Sequence, residues 1–248
     1  METTAPPTRK RPRGIFLLPN LFTTAALFAG FNAITAAISQ NFEVAAISIF
    51  VAMILDGLDG RVARLTNTQS AFGAEYDSMA DLLSFGAAPA LVMYLWVLSS
   101  LGKFGWVAAF VHTAGAALRL ARFNTQIATA DKHYFQGLPS PSAAAILAGF
   151  LWFCQTHGIS AEPVRYVVLG LSLATGLLMV SNFRYYSFKG IDLRGRVPFL
   201  WAILIMLVFA MIFINPPLML FILFACYAIS GPALTLMRRR RMRTERRN

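Results

Sequence analysis

Long apolar segments run through most of this chain, and they constrain its fold more than any other feature. A helix that crosses the roughly 30 Å apolar core of a bilayer takes about 20 residues, and each predicted segment comes close to that length. Inside lipid the backbone must form its hydrogen bonds within each helix, so α-helices are the expected elements. The predicted spans are residues 15–38, 44–65, 80–101, 104–123, 141–157, 164–181, 197–214 and 218–237.

The composition supports the same interpretation. Hydrophobic residues make up 57% of the chain and charged residues 13%, and the mean hydropathy is +0.59, which is unusual for a soluble domain. We therefore predict an all-α polytopic membrane protein with about eight transmembrane helices. The two cysteines, Cys154 and Cys226, lie in separate apolar segments, which argues against a disulfide framework or a cysteine zinc site.

The basic residues predict how the chain crosses the membrane. With both termini in the cytoplasm, every lysine and arginine except Lys103 and Arg165 lies on the cytoplasmic side, as the positive-inside rule requires. The largest clusters flank the first and last spans, where they suit anionic lipid headgroups rather than nucleic acid. These flanking residues are Arg9, Lys10, Arg11, Arg13, Arg238 to Arg241, Arg243, Arg246 and Arg247.

The chain is predicted to form one membrane domain with short basic ends. The first apolar segment is too long for a signal-peptide core and is expected to stay as a membrane helix. Only Asn215, Pro216 and Pro217 separate the last two spans, which predicts a tight hairpin. The predicted divisions are a basic cytoplasmic N-terminal segment (1–14), the membrane core (15–190), a C-terminal transmembrane hairpin (191–237) and a basic cytoplasmic tail (238–248).

Acidic residues are scarce, yet several lie close together around the end of the second span and the start of the third. Asp56 and Asp59 are three residues apart, and Asp77 and Asp81 are four apart, so each pair occupies one helical face. Carboxylates in a membrane helix are costly and indicate a functional site. Four carboxylates without a neighbouring histidine or cysteine suit Mg²⁺ or Mn²⁺ and a phosphate-bearing substrate.

These residues form part of a longer motif. The segment from Asp56 to Asp81 matches D-x2-D-G-x2-A-R-x8-G-x3-D-x3-D at all eight fixed positions, and it resembles the signature of the CDP-alcohol phosphatidyltransferase family. The resemblance implies a six-helix core, usually in a homodimer, with the site open to the cytoplasmic leaflet. It also implies an integral protein of a bacterial-type inner membrane, with CDP-diacylglycerol and membrane lipids as partners.

The resemblance further implies roles for individual residues. Two metal ions, Mg²⁺ or Mn²⁺, would be bound by the four aspartates, and Asp81 would also be the general base. Asn20 and Thr23 come from a shorter Pro-Asn-x-x-Thr element, in which Asn20 is equally compatible with polar helix packing. The CDP-binding residues implied by the two motifs are Asn20, Thr23, Asp56, Gly60, Ala63, Arg64, Gly73 and Asp77.

The assignment of a base also has a chemical reason. An alcohol is hardly ionised at neutral pH, so its attack on phosphorus needs a proton acceptor. Asp81 lies one turn beyond Asp77 and could accept that proton. No Ser–His or Cys–His arrangement is evident, and His112, inside the fourth span, is expected to pack or to form hydrogen bonds. Direct displacement is therefore favoured over a covalent phosphatidyl-enzyme.

A second polar stretch follows the fourth span and bears on the acceptor. Arg119 and Arg122 are three residues apart at the predicted cytoplasmic end, where they could bind an anion. Ser140 precedes Pro141, a good helix start with Ser140 as N-cap, and an anion could bind at the same helix terminus. The arginines could equally hold glycerol 3-phosphate or inositol phosphate.

Three short motifs are similar to those of the phosphatidylserine synthase branch of the family: S-F-G-A-A-P-A, R-L-A-R-F-N and F-x-G-L-P-S-P. The resemblance implies L-serine as the acceptor, with Arg122 and Asn124 at its amino-acid part and Arg119 near phosphate. Ser140 is a further candidate for binding the acceptor or phosphate. Choline is less favoured because a quaternary ammonium group would favour an aromatic cage. A transporter would also place carboxylates inside a helical bundle, but it would bind at the midplane and often carry internal repeats.

Overall fold

The computed structural model describes residues 17–66, 68, 70–126, 134–186 and 199–245, and nearly all of these are helical. The chain is an all-α polytopic membrane protein, as expected. Its elements are α1 (Leu17–Ile38), α2 (Phe42–Thr66), α3 (Ala71–Asp81), a π-helical segment (Leu82–Ala87), α4 (Ala88–Trp96), a 3₁₀ turn (Leu98–Leu101), α5 (Lys103–Gln126), β1 (Tyr134–Gln136), α6 (Ser140–Thr156), α7 (Ala161–Val180), β2 (Arg184–Tyr186), α8 (Phe199–Ile214) and α9 (Pro216–Glu245).

Five helices among the described residues are long and apolar enough to cross a membrane. Of the other predicted spans, α2 carries charged residues in its second half, α6 has 17 residues and α8 has 16. The count of eight spans therefore stays a prediction. The five helices are Pro19–Ile38, Ala71–Trp96, Lys103–Thr125, Ala161–Val180 and Pro216–Met237.

The third predicted span, 80–101, was wrong at its start. The helix begins at Ala71 and continues through the π-helical segment to Trp96. Ser70 caps it, because its Oγ accepts a hydrogen bond from the Gly73 N–H at 3.0 Å, which satisfies one of the donors left free at a helix N-terminus. The first turns of α3 contain the polar residues Glu75, Asp77 and Ser78, so they do not form an apolar segment.

Small side chains bring the first helices together. Ala33 and Ala37 on α1, and Ala45 and Ala46 on α2, have no exposed surface, and such residues let membrane helices approach closely. This packing places the second half of α2, which carries Asp56 and Asp59, beside the N-terminal part of α1.

No sequence motif predicted the short antiparallel sheet formed by β1 and β2. The sheet contacts α9, where the Tyr185 hydroxyl donates a hydrogen bond to the Ala228 carbonyl at 3.0 Å. Burial raises the pKa of Tyr185 to about 12, so the phenol keeps the proton that it donates. The helix break predicted at Asn215 lies between α8 and α9, and the transmembrane hairpin itself stays a prediction. The last helix runs past residue 237 to Glu245, and α9 packs against α6 through Phe150 and Phe221.

Several sequence-based expectations concern residues outside the described part of the chain. These are the N-terminal basic segment, the boundary at residues 190 and 191, and the basic residues Lys132, Lys189, Arg194, Arg196, Arg246 and Arg247. The sidedness of the membrane topology stays a prediction.

Candidate active site

Three of the four predicted metal ligands come together at the meeting of α2 and α3. Asp56, Asp59 and Asp77 each offer a carboxylate oxygen, and these oxygens all lie within 4.8 Å of one another. We call these three residues the aspartate cluster. Three carboxylates this close form an oxygen-rich set of the kind that hard divalent cations prefer, so the cluster could hold a metal ion.

The fourth aspartate, Asp81, stands next to this cluster rather than inside it. It ends α3, one turn beyond Asp77. It lies close enough to Asp56, Asp77 and Arg119 for their charges to act on its carboxylate. Asp81 therefore connects the aspartate cluster with the arginine on α5.

A hydroxyl on α1 fixes one carboxylate of the aspartate cluster. The Thr23 Oγ1 donates a hydrogen bond to Asp59 Oδ2 at 2.7 Å, and both side chains are buried. Hydrogen bonds to an ionised acceptor are short and strong, so α1 holds this carboxylate in place. Thr23, which was expected to bind CDP, thus also positions Asp59.

A cavity of about 220 Å³ lies between α1, α2 and α3, beside the aspartate cluster. Every predicted CDP-binding residue except Asp56 lines this cavity. Four of its residues were not predicted: Pro19, Thr68, Ser70 and Ala74. The complete lining is Pro19, Asn20, Thr23, Asp59, Gly60, Ala63, Arg64, Thr68, Ser70, Gly73, Ala74 and Asp77.

Gly73 controls how closely a ligand can approach this part of the cavity. A Cβ at this position would lie 3.1 Å from Ser70 Oγ and 3.3 Å from Asn20 Oδ1, so any larger residue would crowd the wall. Ser70 and Thr68 lie on the connection between α2 and α3. The helix-capping pattern before Gly73 could have identified Ser70, whereas Thr68 had no such local signal.

The predicted acceptor residues form a second polar group, which we call the arginine cluster: Arg119, Arg122 and Asn124 on α5. Arg119 Nη1 donates a hydrogen bond to Ser140 Oγ at 2.8 Å, and Ser140 is fully buried. Within the described part of the chain, the buried Nε of Arg119 has no hydrogen-bond partner. Such a buried donor is costly unless something pairs with it, which is a property expected of an anion-binding residue.

The same contact corrects the expected role of Ser140. Ser140 is the first residue of α6, and Pro139 occupies the N-cap position. No capping hydrogen bond from a side chain is formed there, because proline has no polar side-chain atom. The helix start is confirmed, but the serine joins α6 to α5 instead of capping α6.

The other two members of the arginine cluster contact different segments. Arg122 Nη1 donates to Asn182 Oδ1 at 3.2 Å, just before β2. Asn124 Nδ2 donates to Ser78 Oγ at 3.0 Å, one residue beyond Asp77. The structure therefore brings Arg119 and Asn124 towards the aspartate cluster, whereas Arg122 is engaged at the junction of α7 and β2.

The family model for CDP-alcohol phosphatidyltransferases matches residues 16–180, which include the aspartate cluster, the cavity and the arginine cluster. The chain belongs to the CDP-alcohol phosphatidyltransferase family. Helices α8 and α9 lie outside the matched region, although α9 packs against the core. The resemblance that rested on the Asp56 to Asp81 motif is thereby confirmed.

Relatives across bacteria and archaea carry one name, CDP-diacylglycerol–serine O-phosphatidyltransferase. One from Helicobacter pylori (strain J99) is 37% identical over 88% of this chain and 90% of its own length. One from Mycobacterium tuberculosis is 37% identical over 71% of this chain and 63% of its own length. One from Methanocaldococcus jannaschii is 39% identical over 55% of this chain and 61% of its own length.

Proposed function

We propose that this member of the CDP-alcohol phosphatidyltransferase family is a phosphatidylserine synthase. It transfers the phosphatidyl group of CDP-diacylglycerol to the hydroxyl of L-serine and releases CMP. The observation that carries the proposal is the aspartate cluster, whose carboxylate oxygens lie within 4.8 Å of one another beside a cavity lined by the predicted CDP-binding residues. The name shared by the relatives supports serine as the acceptor.

The cavity beside the aspartate cluster is the donor site in this proposal. Its volume of about 220 Å³ is too small to enclose the whole lipid substrate, so the CDP end would bind beside the aspartates while the acyl chains stay in lipid. Arg64 supplies a permanent cation for phosphate. Thr23 keeps Asp59 oriented towards the same space.

The aspartate cluster fits a resident divalent cation by its chemistry and spacing. We assign it Mg²⁺ or Mn²⁺, with two ions held by Asp56, Asp59, Asp77 and Asp81. When bound, these ions would neutralise the carboxylates and stabilise the negative charge of the leaving CMP.

The arginine cluster is the acceptor site in this proposal. The unpaired Nε of Arg119 donates to an anionic group of the acceptor, which for serine is the carboxylate. Ser140 contacts Arg119 directly and Asn124 contacts Ser78 beside Asp77, whereas Arg122, the remaining acceptor candidate, is hydrogen-bonded to Asn182. Ser140 holds the Arg119 guanidinium in a fixed direction, and a preoriented donor loses less entropy on binding.

Asp81 then takes the proton of the serine hydroxyl. The serine oxygen forms a bond to the phosphatidyl phosphorus as the bond from that phosphorus to the bridging diphosphate oxygen breaks, and CMP leaves with the electron pair. General-base catalysis of this kind contributes roughly 10²–10⁴-fold to rate. No covalent phosphatidyl-enzyme forms.

Other parts of the proposal concern assembly and orientation. We assign the protein to a bacterial-type inner membrane, with both termini and the active site in the cytoplasm. Residues 15–190 form the catalytic core, residues 191–237 a membrane hairpin, and two chains form a homodimer. Labelling of single cysteines placed in the connections, from each side of the membrane, tests the orientation, and crosslinking in membranes tests the dimer.

The decisive experiment measures CMP release by the purified protein in detergent with CDP-diacylglycerol and Mg²⁺ or Mn²⁺. L-serine, glycerol 3-phosphate, inositol phosphate and choline are compared as acceptors, with Asp81→Asn and EDTA as controls. Release that requires serine and metal, and that Asp81→Asn loses, supports the proposal. Activity with another acceptor alone overturns the choice of serine. No release from folded protein with any acceptor overturns the enzymatic function and favours a transporter.

A further inference from the structure

The helix that carries Asp77 and Asp81 changes its winding directly after Asp81. Residues Leu82–Ala87 form a π-helical segment between α3 and α4. Because each residue of an α-helix turns by about 100°, the one extra residue of a π-turn rotates everything before it by about that angle relative to α4. The π segment therefore sets the direction in which the two aspartates project while α4 keeps its apolar residues in the core. Such segments are rare and frequently lie at functional sites.

Helix α5 supplies hydrogen-bond donors to this segment. His112 has no exposed surface, and its Nε2 lies 3.2 Å from the Phe85 carbonyl oxygen in the middle of the π segment. The hydroxyl of the next residue, Thr113, lies 3.4 Å from the Gly86 carbonyl oxygen, although its shorter bond, at 3.1 Å, goes to the Ala109 carbonyl on α5. His112 therefore makes the shorter of the two side-chain contacts from α5 to the π segment.

The contacts of His112 continue to a third helix. Its Nδ1 lies 2.8 Å from Thr175 Oγ1 on α7. Because a carbonyl only accepts, the bond to Phe85 requires the proton on Nε2. Nδ1 of a neutral ring is then an acceptor for the Thr175 hydroxyl, whose single proton is shared with the Leu171 carbonyl at 2.8 Å. A buried chain of hydrogen bonds therefore connects α7, α5 and the π segment, and none of its members touches the donor cavity.

Close backbone contacts keep this connection short. A Cβ on Gly115 would lie 2.5 Å from the Gly176 carbonyl oxygen, and a Cβ on Gly86 would lie 3.0 Å from Ala116 Cβ. Only glycine permits the approach of Gly115 to Gly176, and a larger residue in place of Gly86 would force Ala116 to shift, so α5 packs directly on both α7 and the π segment. The imidazole fills the space that remains between the three backbones.

We propose that His112 is a positioning residue for the transfer reaction: it holds the π segment and thereby sets the direction of Asp81 and Asp77. This inference rests on the function proposed above. Without the bond to Phe85, the segment can rewind towards an α-helix, and the aspartates then turn away from the rest of the site. His112 touches neither substrate nor metal in this scheme.

The test compares His112→Leu, which removes the donor, with His112→Gln, whose side-chain amide can still donate to Phe85. Ser172→Ala is the matched control: Ser172 is a buried polar residue of α7 whose hydroxyl has no hydrogen-bond partner within the described ranges. Measured quantities are kcat and KM for both substrates, Mn²⁺ affinity by electron paramagnetic resonance, and thermal unfolding. Mn²⁺ affinity reports on the aspartates without any need for turnover.

We expect His112→Leu to lower kcat by about 100-fold, the effect of a displacement of roughly 1 Å in a catalytic group, and to weaken Mn²⁺ binding. His112→Gln should keep most of the wild-type kcat and Mn²⁺ affinity, and Ser172→Ala should change neither quantity. If His112→Leu does not fold, Thr175→Val replaces it, with a smaller loss of the same kind expected.

The possible failures are distinct. A wild-type protein that binds Mn²⁺ without releasing CMP contradicts the proposed function, and the effect of His112→Leu on Mn²⁺ affinity still tests the positioning role. An active wild type whose kcat and Mn²⁺ affinity survive His112→Leu overturns the positioning role alone. Equal losses in His112→Leu and His112→Gln also overturn it, because they would show that the imidazole acts by its shape.

Discussion

The aspartate cluster and the arginine cluster are neighbours in space but are assembled in different ways. The aspartates come from two consecutive helices, and their spacing within residues 56–81 already places them on facing sides. The arginine cluster lies on one helix, α5, yet its partners come from three other segments. These partners are Ser140 at the start of α6, Asn182 before β2, and Ser78 on α3.

This difference indicates a division of labour. A cluster built from one continuous motif is suited to the step that every member of the family shares, the cleavage of the CDP diphosphate. A cluster whose orientation depends on separate segments can change when any one segment changes, so it is suited to the choice of acceptor. Asp81 interacts with both clusters and is the place where the two tasks meet. Variants in each cluster should therefore have different kinetic signatures.

The largest effect is expected for Asp81→Asn. The amide has nearly the same size but cannot take the hydroxyl proton, so kcat should fall by about 10²–10⁴-fold, with every acceptor that the enzyme accepts. CMP release at saturating substrates measures this loss. Substantial activity retained with one acceptor would show that Asp81 belongs to acceptor choice and that the division between the clusters is wrong.

The next effect is expected for Arg119→Gln. Hydrogen bonds to a charged group are worth about 1.5–3 kcal/mol, so KM for serine should rise by roughly 10–100-fold while KM for CDP-diacylglycerol stays near the wild-type value. Arg119→Lys keeps the charge but loses the planar guanidinium fork. Its KM for serine should lie between that of the wild type and that of Arg119→Gln. An equal rise in both KM values would place Arg119 in the donor site instead.

A smaller effect, on KM for the other substrate, is expected for Gly73→Ala. The new methyl group would crowd Ser70 and Asn20 in the cavity wall, and we expect KM for CDP-diacylglycerol to rise by about 3–10-fold, which corresponds to a loss of about 0.7–1.4 kcal/mol in binding. KM for serine should not change. Gly57→Ala is the control, because a Cβ there has no atom within 4 Å among the described residues. A matching rise in the control would mean that glycine flexibility, not crowding, is responsible.

The smallest effect is expected for Glu162→Gln. Glu162 pairs with Arg165 on α7 at 2.9 Å, and the glutamate is largely exposed, so the pair is worth at most about 1 kcal/mol. Kinetic constants should stay within twofold of wild type, and the midpoint of thermal unfolding should hardly move. A clear change in either KM would extend one of the two clusters to a region that has no contact with it here.

Much of the molecule follows from local sequence. The helical class and most helix bounds follow from apolar segments, because a chain in lipid must bond its backbone within each helix. The contacts of Asp56, Asp59 and Asp77 follow from a motif whose members are one or two turns apart on consecutive helices. The break between α8 and α9 at Asn215 follows in the same way, since two prolines stop one helix and begin the next.

Other features depend on contacts between distant segments. The π segment after Asp81, the hydrogen bond from Arg119 to Ser140, and the sheet held on α9 by Tyr185 have no local signature. Each joins residues that are more than 20 positions apart, and its geometry depends on how closely the helix backbones approach. Apolar composition determines that helices form and enter the membrane, whereas directional hydrogen bonds between packed helices determine where the side chains of the active site point.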